Sequence, residues 1–226
     1  MFARISNRYD LLNTVMTAGR HLVWKKCVAE LAATEMEGPA LDVATGTGDI
    51  AISLSKISAF SKIIGLDFTR EMLEIAKRKS QQPNLTERLN YIVGDAHALP
   101  FSDNQFISAT VGFGIRNFTD IPKALTEISR VLKPGGRIFV LEIVRQDKHG
   151  PMSQLFPIYF RYVTPLLGAL FAGDLEAYTY LPKSVEKFLG AGELAEIIEG
   201  IGLRNISIKS LALGTVVIIS GEKITQ

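Results

Sequence analysis

The chain has 226 residues, of which 47% are hydrophobic and 21% charged, enough for one domain with a substantial apolar core and no need of a covalent staple. Twenty-five basic against 23 acidic residues leave a net charge of +2, which excludes the broad basic footprint of a nucleic-acid binder. The single cysteine, Cys27, excludes an internal disulfide and a cysteine-built zinc site.

Residues 1–36 read as a helical N-terminal extension. The opening Met1-Phe2-Ala3-Arg4 lacks the apolar core of a signal peptide, so a cytoplasmic protein is expected. Apolar runs then alternate with helical patterns, the signature of βαβ units and a parallel sheet. A first strand is expected near Ala40–Ala44, then a turn and a helix from about Asp49 to Ile57. The second strand is Lys62–Leu66. Its helix, Glu71–Lys79, carries Met72, Leu73, Ile75 and Ala76 on an apolar face. Strands follow at Tyr91–Val93 and Phe106–Val111. The helix Ile121–Leu132 has Ile121, Leu125, Ile128 and Leu132 at helical spacing, Pro134-Gly135-Gly136 stops it, and Arg137–Ile143 is a fifth, buried strand.

Residues 155–201 read as helical and apolar. The stretch 155–173 carries only one charge, Arg161, and approaches the length of a membrane span. Pro157, Pro165, Gly168 and the central Arg161 argue against spanning. The chain closes with Arg204–Ser210 and Thr215–Ser220, which pair as an antiparallel hairpin around Leu213-Gly214. The expected fold is α/β: one domain with a doubly wound, mostly parallel seven-stranded sheet, a C-terminal antiparallel hairpin, and helical caps from 1–36 and 150–200.

The strongest local motif is Leu41-Asp42-Val43-Ala44-Thr45-Gly46-Thr47-Gly48-Asp49. Glycines after a first strand let backbone approach a ligand, and the next helix offers free N–H groups. Asp67, 19 residues after Gly48, ends the second strand, where a carboxylate can accept from both hydroxyls of a ribose. Thr45, Gly46, Thr47, Gly48, Asp67 and the adjoining Phe68 are therefore candidate cofactor residues. The spacing Gly46-x-Gly48-x-x-Ala51 also satisfies the dinucleotide fingerprint, which keeps an NAD-dependent oxidoreductase as a rival. Three features favour S-adenosyl-L-methionine. Asp49 at the helix start repels a pyrophosphate and tolerates a cationic amine. Gly94-Asp95-Ala96 follows the third strand, where Asp95 can accept from an adenine amino group and the Ala96 N–H can donate to a ring nitrogen. The terminal hairpin suits the methyltransferase variant of the sheet.

LDVATGTGD, GLD at 65–67 and GDA at 94–96 resemble the motifs of class I S-adenosylmethionine-dependent methyltransferases. More narrowly, YDLLNTVMTAGRHLVW at 9–24, GFGIRNFTDIPKALTEISRVLKPGGRIFVLE at 112–142 and GDLEAYTYLPKSVEKFLGAGEL at 173–194 closely resemble the ubiquinone/menaquinone biosynthesis C-methyltransferases. Leu12, Thr17 and Val144 stand where methionine, serine and serine are usual in that family. The resemblance implies methylation of a ring carbon on a polyprenylated quinol, of either pathway. The other acceptors to weigh are different lipids or phenols.

Carbon methylation needs an electron-rich ring carbon in line with a sulfonium methyl, and holding the two in near-attack geometry is worth roughly 7–11 kcal/mol. Ionising a quinol hydroxyl supplies the electron density, so the site needs a group to stabilise a phenolate or take its proton. Arg116, after the fourth strand, is the first candidate, as an anion stabiliser rather than a base. Asn117 can orient water or a quinol oxygen. Tyr9 is the second candidate, through its hydroxyl, if the N-terminal helix covers the site. Asp10, Asn13, His21 and Trp24 read as residues that fix this lid. His97 and His149 read as structural, and no metal site is expected. Phe156, Tyr159, Phe160 and Phe171 read either as core or as an apolar mouth for an isoprenoid tail, each buried methylene being worth about 0.8 kcal/mol. Transient contact with a membrane surface is expected, and a homo-oligomer is left open.

Overall fold

The computed structural model describes residues 2–33, 36–81, 87–145 and 184–224, and the side chains of all of these except 2–8 and 12. The apolar stretch 155–173, His149 and most of the cap expected at 150–200 lie outside the described residues.

Two helices, α1 (Phe2–Thr17) and α2 (Arg20–Ala32), precede a sheet of seven strands. These are β1 (Gly38–Val43), β2 (Phe60–Asp67), β3 (Leu89–Val93), β4 (Phe106–Gly112), β5 (Leu132–Ile143), β6 (Leu203–Leu211) and β7 (Val216–Lys223). Their order is β3-β2-β1-β4-β5-β7-β6. The first five run parallel, and β7 pairs antiparallel with both β5 and β6. Connecting helices are α3 (Asp49–Ser55), α4 (Arg70–Lys79), α5 (Ile121–Val131) and α6 (Ala191–Gly200).

Alternation along the strands builds two apolar layers. Ile138, Val140, Val217 and Ile219 face one side, with Leu125 and Ile128 of α5 and Leu194 and Ile198 of α6. Phe139, Leu141, Val216 and Ile218 face the other, with Val28 and Ala29 of α2 and Ala51 and Leu54 of α3. Each such aliphatic side chain contributes about 1.5–3 kcal/mol by leaving water. The start of α5 is fixed by Asp120, whose side chain accepts from the Lys123 N–H at 3.0 Å, with Pro122 in the first turn.

Two boundaries differ from the sequence pattern. Pro134-Gly135-Gly136 does end a helix, at Val131, but the strand begins at once and runs through these residues. The register against β4 shifts between Phe106 and Ser108 to absorb them. The first strand stops at Val43 because Ala44 turns to φ 52°.

Candidate active site

The chain leaves β1 towards β2 on one side and returns to β4 on the other, so the loops beyond these two neighbours diverge. A crevice at such a switch point, outside the C-terminal ends of parallel strands, is where α/β sheets hold ligands. Here it is a cleft of about 400 Å³. Each parallel strand from β1 to β4 contributes to its wall: Ala44 and Gly46 after β1, Asp67 to Thr69 at β2, Gly94 to His97 after β3, and Gly112 to Gly114 and Asn117 to Thr119 after β4. Tyr9 of α1 and Met72 of α4 complete it.

Of the candidate residues, Tyr9, Gly46, Asp67, Phe68, Asp95, Ala96 and Asn117 line this cleft, whereas Thr45, Thr47, Gly48 and Arg116 do not. The turn after β1 explains the division. The Thr45 hydroxyl points back into the sheet and donates to Asp42 Oδ2 at 2.6 Å, while Thr110 of β4 donates to Asp42 Oδ1 at 2.6 Å. Burial pushes the Asp42 carboxyl up to about 6, against these two hydrogen bonds. The Thr47 hydroxyl points away from the cleft as well, to Asp10 Oδ1 of α1 at 2.6 Å. Gly48 has φ 84°, and a Cβ there would lie 2.5 Å from the Tyr91 hydroxyl and 2.9 Å from the Ala76 Cβ. Gly48 therefore lets α3 start hard against β3 and α4. The turn presents backbone, at Ala44 and Gly46, to the cleft.

Asp67 links the turn to β2. Its Oδ2 accepts from the Gly46 N–H at 2.8 Å and its Oδ1 from the Thr69 N–H at 2.8 Å. Burial raises its pKa against these bonds. Phe68, 78% exposed, stands at the rim beside it.

The acid at the start of α3 is not a bare charge. Asp49 is paired with Lys25 at 2.8 Å and with Lys79. Burial alone would raise its carboxyl, but the two lysines hold it below the usual range. The expected repulsion of a pyrophosphate by Asp49 is thus largely cancelled, and the preference for one cofactor over the other rests on the remaining features. Lys79 Nζ also donates to Asp10 Oδ2 at 2.9 Å and to Thr47 Oγ1 at 3.2 Å. This network, with α1 at its edge, sets Tyr9 over the cleft.

Arg116 lies beneath the wall after β4. Its guanidinium pairs with Glu142 of β5, which is fully buried, and its backbone N–H donates to Glu142 Oε2 at 3.3 Å. Burial raises the Glu142 carboxyl in spite of Arg116 and of the Ile143 N–H, which donates to Oε1 at 2.8 Å. The pair fixes the short turn Ile115–Asn117 and hence Asn117 in the cleft wall. Among the described residues Arg116 Nε has no partner.

Four residues of this arrangement were given no cofactor or catalytic role from the sequence, although Asp42 stands within the motif after β1 and His97 was read as structural. Asp42, Glu142 and Lys79 had a signal: an acid within an apolar strand, or a lysine at the end of a helix, needs a partner. His97 had none beyond its neighbour Asp95.

A family model, described as the ubiE/COQ5 methyltransferase family, matches residues 1–223. This chain belongs to that family. It is 40% identical over 223 residues to a demethylmenaquinone methyltransferase of Thermus thermophilus, covering 99% of this chain and 100% of the relative. It is 37% identical over 224 residues to a ubiquinone/menaquinone biosynthesis C-methyltransferase of Dinoroseobacter shibae, with 99% and 89% covered. In fold it is similar to the crystal structure of a putative S-adenosylmethionine-dependent methyltransferase of Methanococcus maripaludis, with a TM-score of 0.67 at 20% identity, covering 99% and 94% of the two chains. The chain is a methyltransferase with the class I sheet, and S-adenosyl-L-methionine is its cofactor. The residues present fit that group. The cleft is within the usual size of a small-molecule site, the Asp67 carboxylate lines it at the end of β2, and Asp95 Oδ2 has no partner among the described residues. No described helix is long and apolar enough to cross a membrane, and no described cluster of His, Cys, Asp and Glu could hold a metal ion.

Proposed function

We propose that this enzyme methylates a ring carbon of a polyprenylated quinol, demethylmenaquinol or its ubiquinone-pathway counterpart. One observation carries the reading. The cleft lining brings the carboxylates of Asp67 and Asp95 together with the rings of Phe113 and Phe118 and the polar side chains of Tyr9, Asn117 and Thr119. The carboxylates suit a nucleoside, and the rings with Tyr9 and Asn117 suit an aromatic acceptor that carries a polar oxygen. The names of the two relatives support the same acceptor class.

S-adenosyl-L-methionine supplies an electrophilic methyl group when bound. Asp67 would accept from the ribose hydroxyls, Asp95 Oδ2 from the adenine amino group, and the Ala96 N–H would donate to a ring nitrogen. Phe68 at the rim would lie beside the purine. The Tyr9 hydroxyl and the Asn117 amide bind the quinol oxygen and orient the ring, and the Tyr9 hydroxyl relays the phenolic proton to water. Phe113, held edge-tilted against Trp24 at 6.4 Å, and Phe118 exclude water around the ring. Arg116 serves this wall as a positioning residue: locked to Glu142, it holds Asn117 in place. An isoprenoid tail implies contact with a membrane surface.

The test is transfer of a labelled methyl group to demethylmenaquinol, to its ubiquinone-pathway counterpart and to a panel of simple phenols and lipids. Preference for a prenylated quinol by roughly a hundredfold in kcat/KM supports the proposal. Tyr9→Phe should lower kcat by about 10²-fold, the lower end for a lost proton-transfer group, Asn117→Ala by about three- to tenfold for a lost hydrogen bond, and both should leave donor binding intact. Preference for an unprenylated phenol overturns the assignment of the acceptor.

A further inference from the structure

We propose that His97 is a positioning residue for the methyl donor: it fixes Asp95 so that one carboxylate oxygen is presented to the purine, and it ties together the loops after β3 and β4 that wall the cleft. The inference rests on the donor lying at Asp67 and Asp95, as above.

The hydrogen bonds determine how the imidazole is protonated. The Asp120 backbone N–H, which can only donate, points at His97 Nε2 from 3.2 Å. Nε2 must therefore hold a lone pair, and the ring proton is on Nδ1. Nδ1 is 2.6 Å from Asp95 Oδ1, so it donates to that oxygen. The His97 backbone N–H donates to the same oxygen at 2.9 Å. Thr119 Oγ1 lies 3.4 Å from Nε2, and the ring packs edge-on to Phe118 at 5.7 Å between centroids.

Two consequences follow. Oδ1 of Asp95 is occupied twice by one residue, which stops the carboxylate from rotating, and Oδ2 is the oxygen left with no partner among the described residues. An unheld, half-exposed aspartate would have to give up rotamer freedom on binding; this one has already done so. The same ring joins the loop after β3, which carries Asp95 and Ala96, to the loop that carries Asn117, Phe118 and the N-cap Asp120 of α5. Both loops line the cleft, so His97 bridges its two sides across more than twenty residues of chain.

The two ring nitrogens can be replaced separately. An asparagine amide overlies Nδ1 and can still hold Asp95, but does not reach Asp120. A glutamine amide overlies Nε2 and can accept from Asp120, but leaves Asp95 unheld.

The experiment is calorimetric titration of S-adenosylhomocysteine into the full chain and into His97→Ala, His97→Asn, His97→Gln and Asp67→Ala, with steady-state kinetics on demethylmenaquinol alongside. Loss of a hydrogen bond of ordinary strength corresponds to a factor of about three to ten. His97→Ala is expected to raise the Kd by that factor and to raise KM for the donor, with kcat at saturating donor little affected. His97→Asn should recover most of the loss, and His97→Gln should recover little. If Asp67→Ala weakens binding and His97→Ala does not, the role of His97 is overturned while the donor site stands. If neither changes the Kd, the placement of the donor falls and this inference with it. If His97→Ala lowers kcat with Kd unaltered, or if His97→Gln rescues binding and His97→Asn does not, the hold on Asp95 is not what His97 provides.

Discussion

The Thr47 hydroxyl donates to Asp10 Oδ1 across 2.6 Å, joining the N-terminal helix α1 to the turn after β1. Lys79 of α4 reaches both partners, so three elements meet at Asp10. Tyr9 is the adjacent residue, and it reaches the cleft only because α1 is held here. Asp10→Ala should release α1 and, with it, Tyr9. The loss in global stability should be small, about 1 kcal/mol, because the Lys79–Asp10 pair is partly open to solvent. The same energy, about 1 kcal/mol, applied to closure of α1 lowers kcat/KM for the quinol about fivefold. Hydrogen exchange should show amides of 9–17 losing protection while β1 and β4 keep theirs; unchanged exchange in α1 would remove the latch from the account.

The buried pair between Arg116 and Glu142 makes a sharper prediction. Removing one partner leaves the other charged and out of water. Glu142→Ala should therefore destabilise the fold by about 3–5 kcal/mol, read as a lower urea midpoint with an unchanged slope. Glu142→Gln keeps an acceptor for Arg116 and should cost less. The double variant Arg116→Met, Glu142→Leu should recover most of the stability, since an apolar pair of similar size replaces two desolvated charges. Transfer activity should stay low in that variant, because Asn117 loses the hydrogen bond that holds its turn. A double variant with both stability and full activity would show that the pair does not position Asn117.

Those two relationships also mark where the sequence stops being legible. The sheet could be read because apolar runs with turn residues between them allow few alternatives, and the strands' C-terminal ends then bring 46, 67, 95 and 117 together. That step needs only strand order, and motif residues such as Gly46, Asp67 and Asp95 sit immediately beyond those ends. Side-chain direction within the turn was not legible. It depends on the left-handed backbone at Ala44 and at Gly46, φ 52° and 56°, which turns the Thr45 hydroxyl to the sheet and leaves backbone facing the cleft. Long-range partners were not legible either. Asp10 and Lys79 lie 69 residues apart, and Arg116 and Glu142 26 apart, and no periodicity links them. The traces were Glu142, a charge in the otherwise apolar Ile138–Ile143, and Lys79 at the end of α4.

His21 supplies an acid-limb prediction. It is buried in α2, with Nδ1 3.0 Å from Thr17 Oγ1. Burial lowers its pKa from 6.5 to about 4, with Lys25 adding to the effect. The folded state therefore binds fewer protons than the unfolded chain between these values. Its contribution is complete above about pH 6.5 and is lost as pH falls through about 4, at roughly 1.4 kcal/mol per unit. Urea unfolding of His21→Gln beside the wild type should show their difference constant above pH 6.5 and shrinking below it. A difference independent of pH would mean that His21 is not held neutral.

Asp42 has the opposite sign. Its folded pKa, about 6, lies above the ordinary 3.8 because the carboxyl is buried between β1 and β4. Between these values the folded state keeps a proton that the unfolded chain has released, so this group favours folding below about pH 4 and loses that contribution as pH rises through 6. Above pH 6 the charged form is held chiefly by the Thr110 and Thr45 hydroxyls, which both donate to it, with Lys25 and the Ala51 N–H adding to their effect. Asp42→Asn removes the titration and keeps the shape, and either threonine can rotate to accept from the new amide. Relative to the wild type, Asp42→Asn should gain stability steadily from pH 4 to pH 6, by roughly 1.4 kcal/mol per unit, and the difference should be flat at higher pH. Unfolding midpoints in urea at half-unit intervals measure this directly. A flat difference across the whole range would place the Asp42 titration outside it, and a falling one would mean that the two hydroxyls, rather than burial, dominate at this carboxyl.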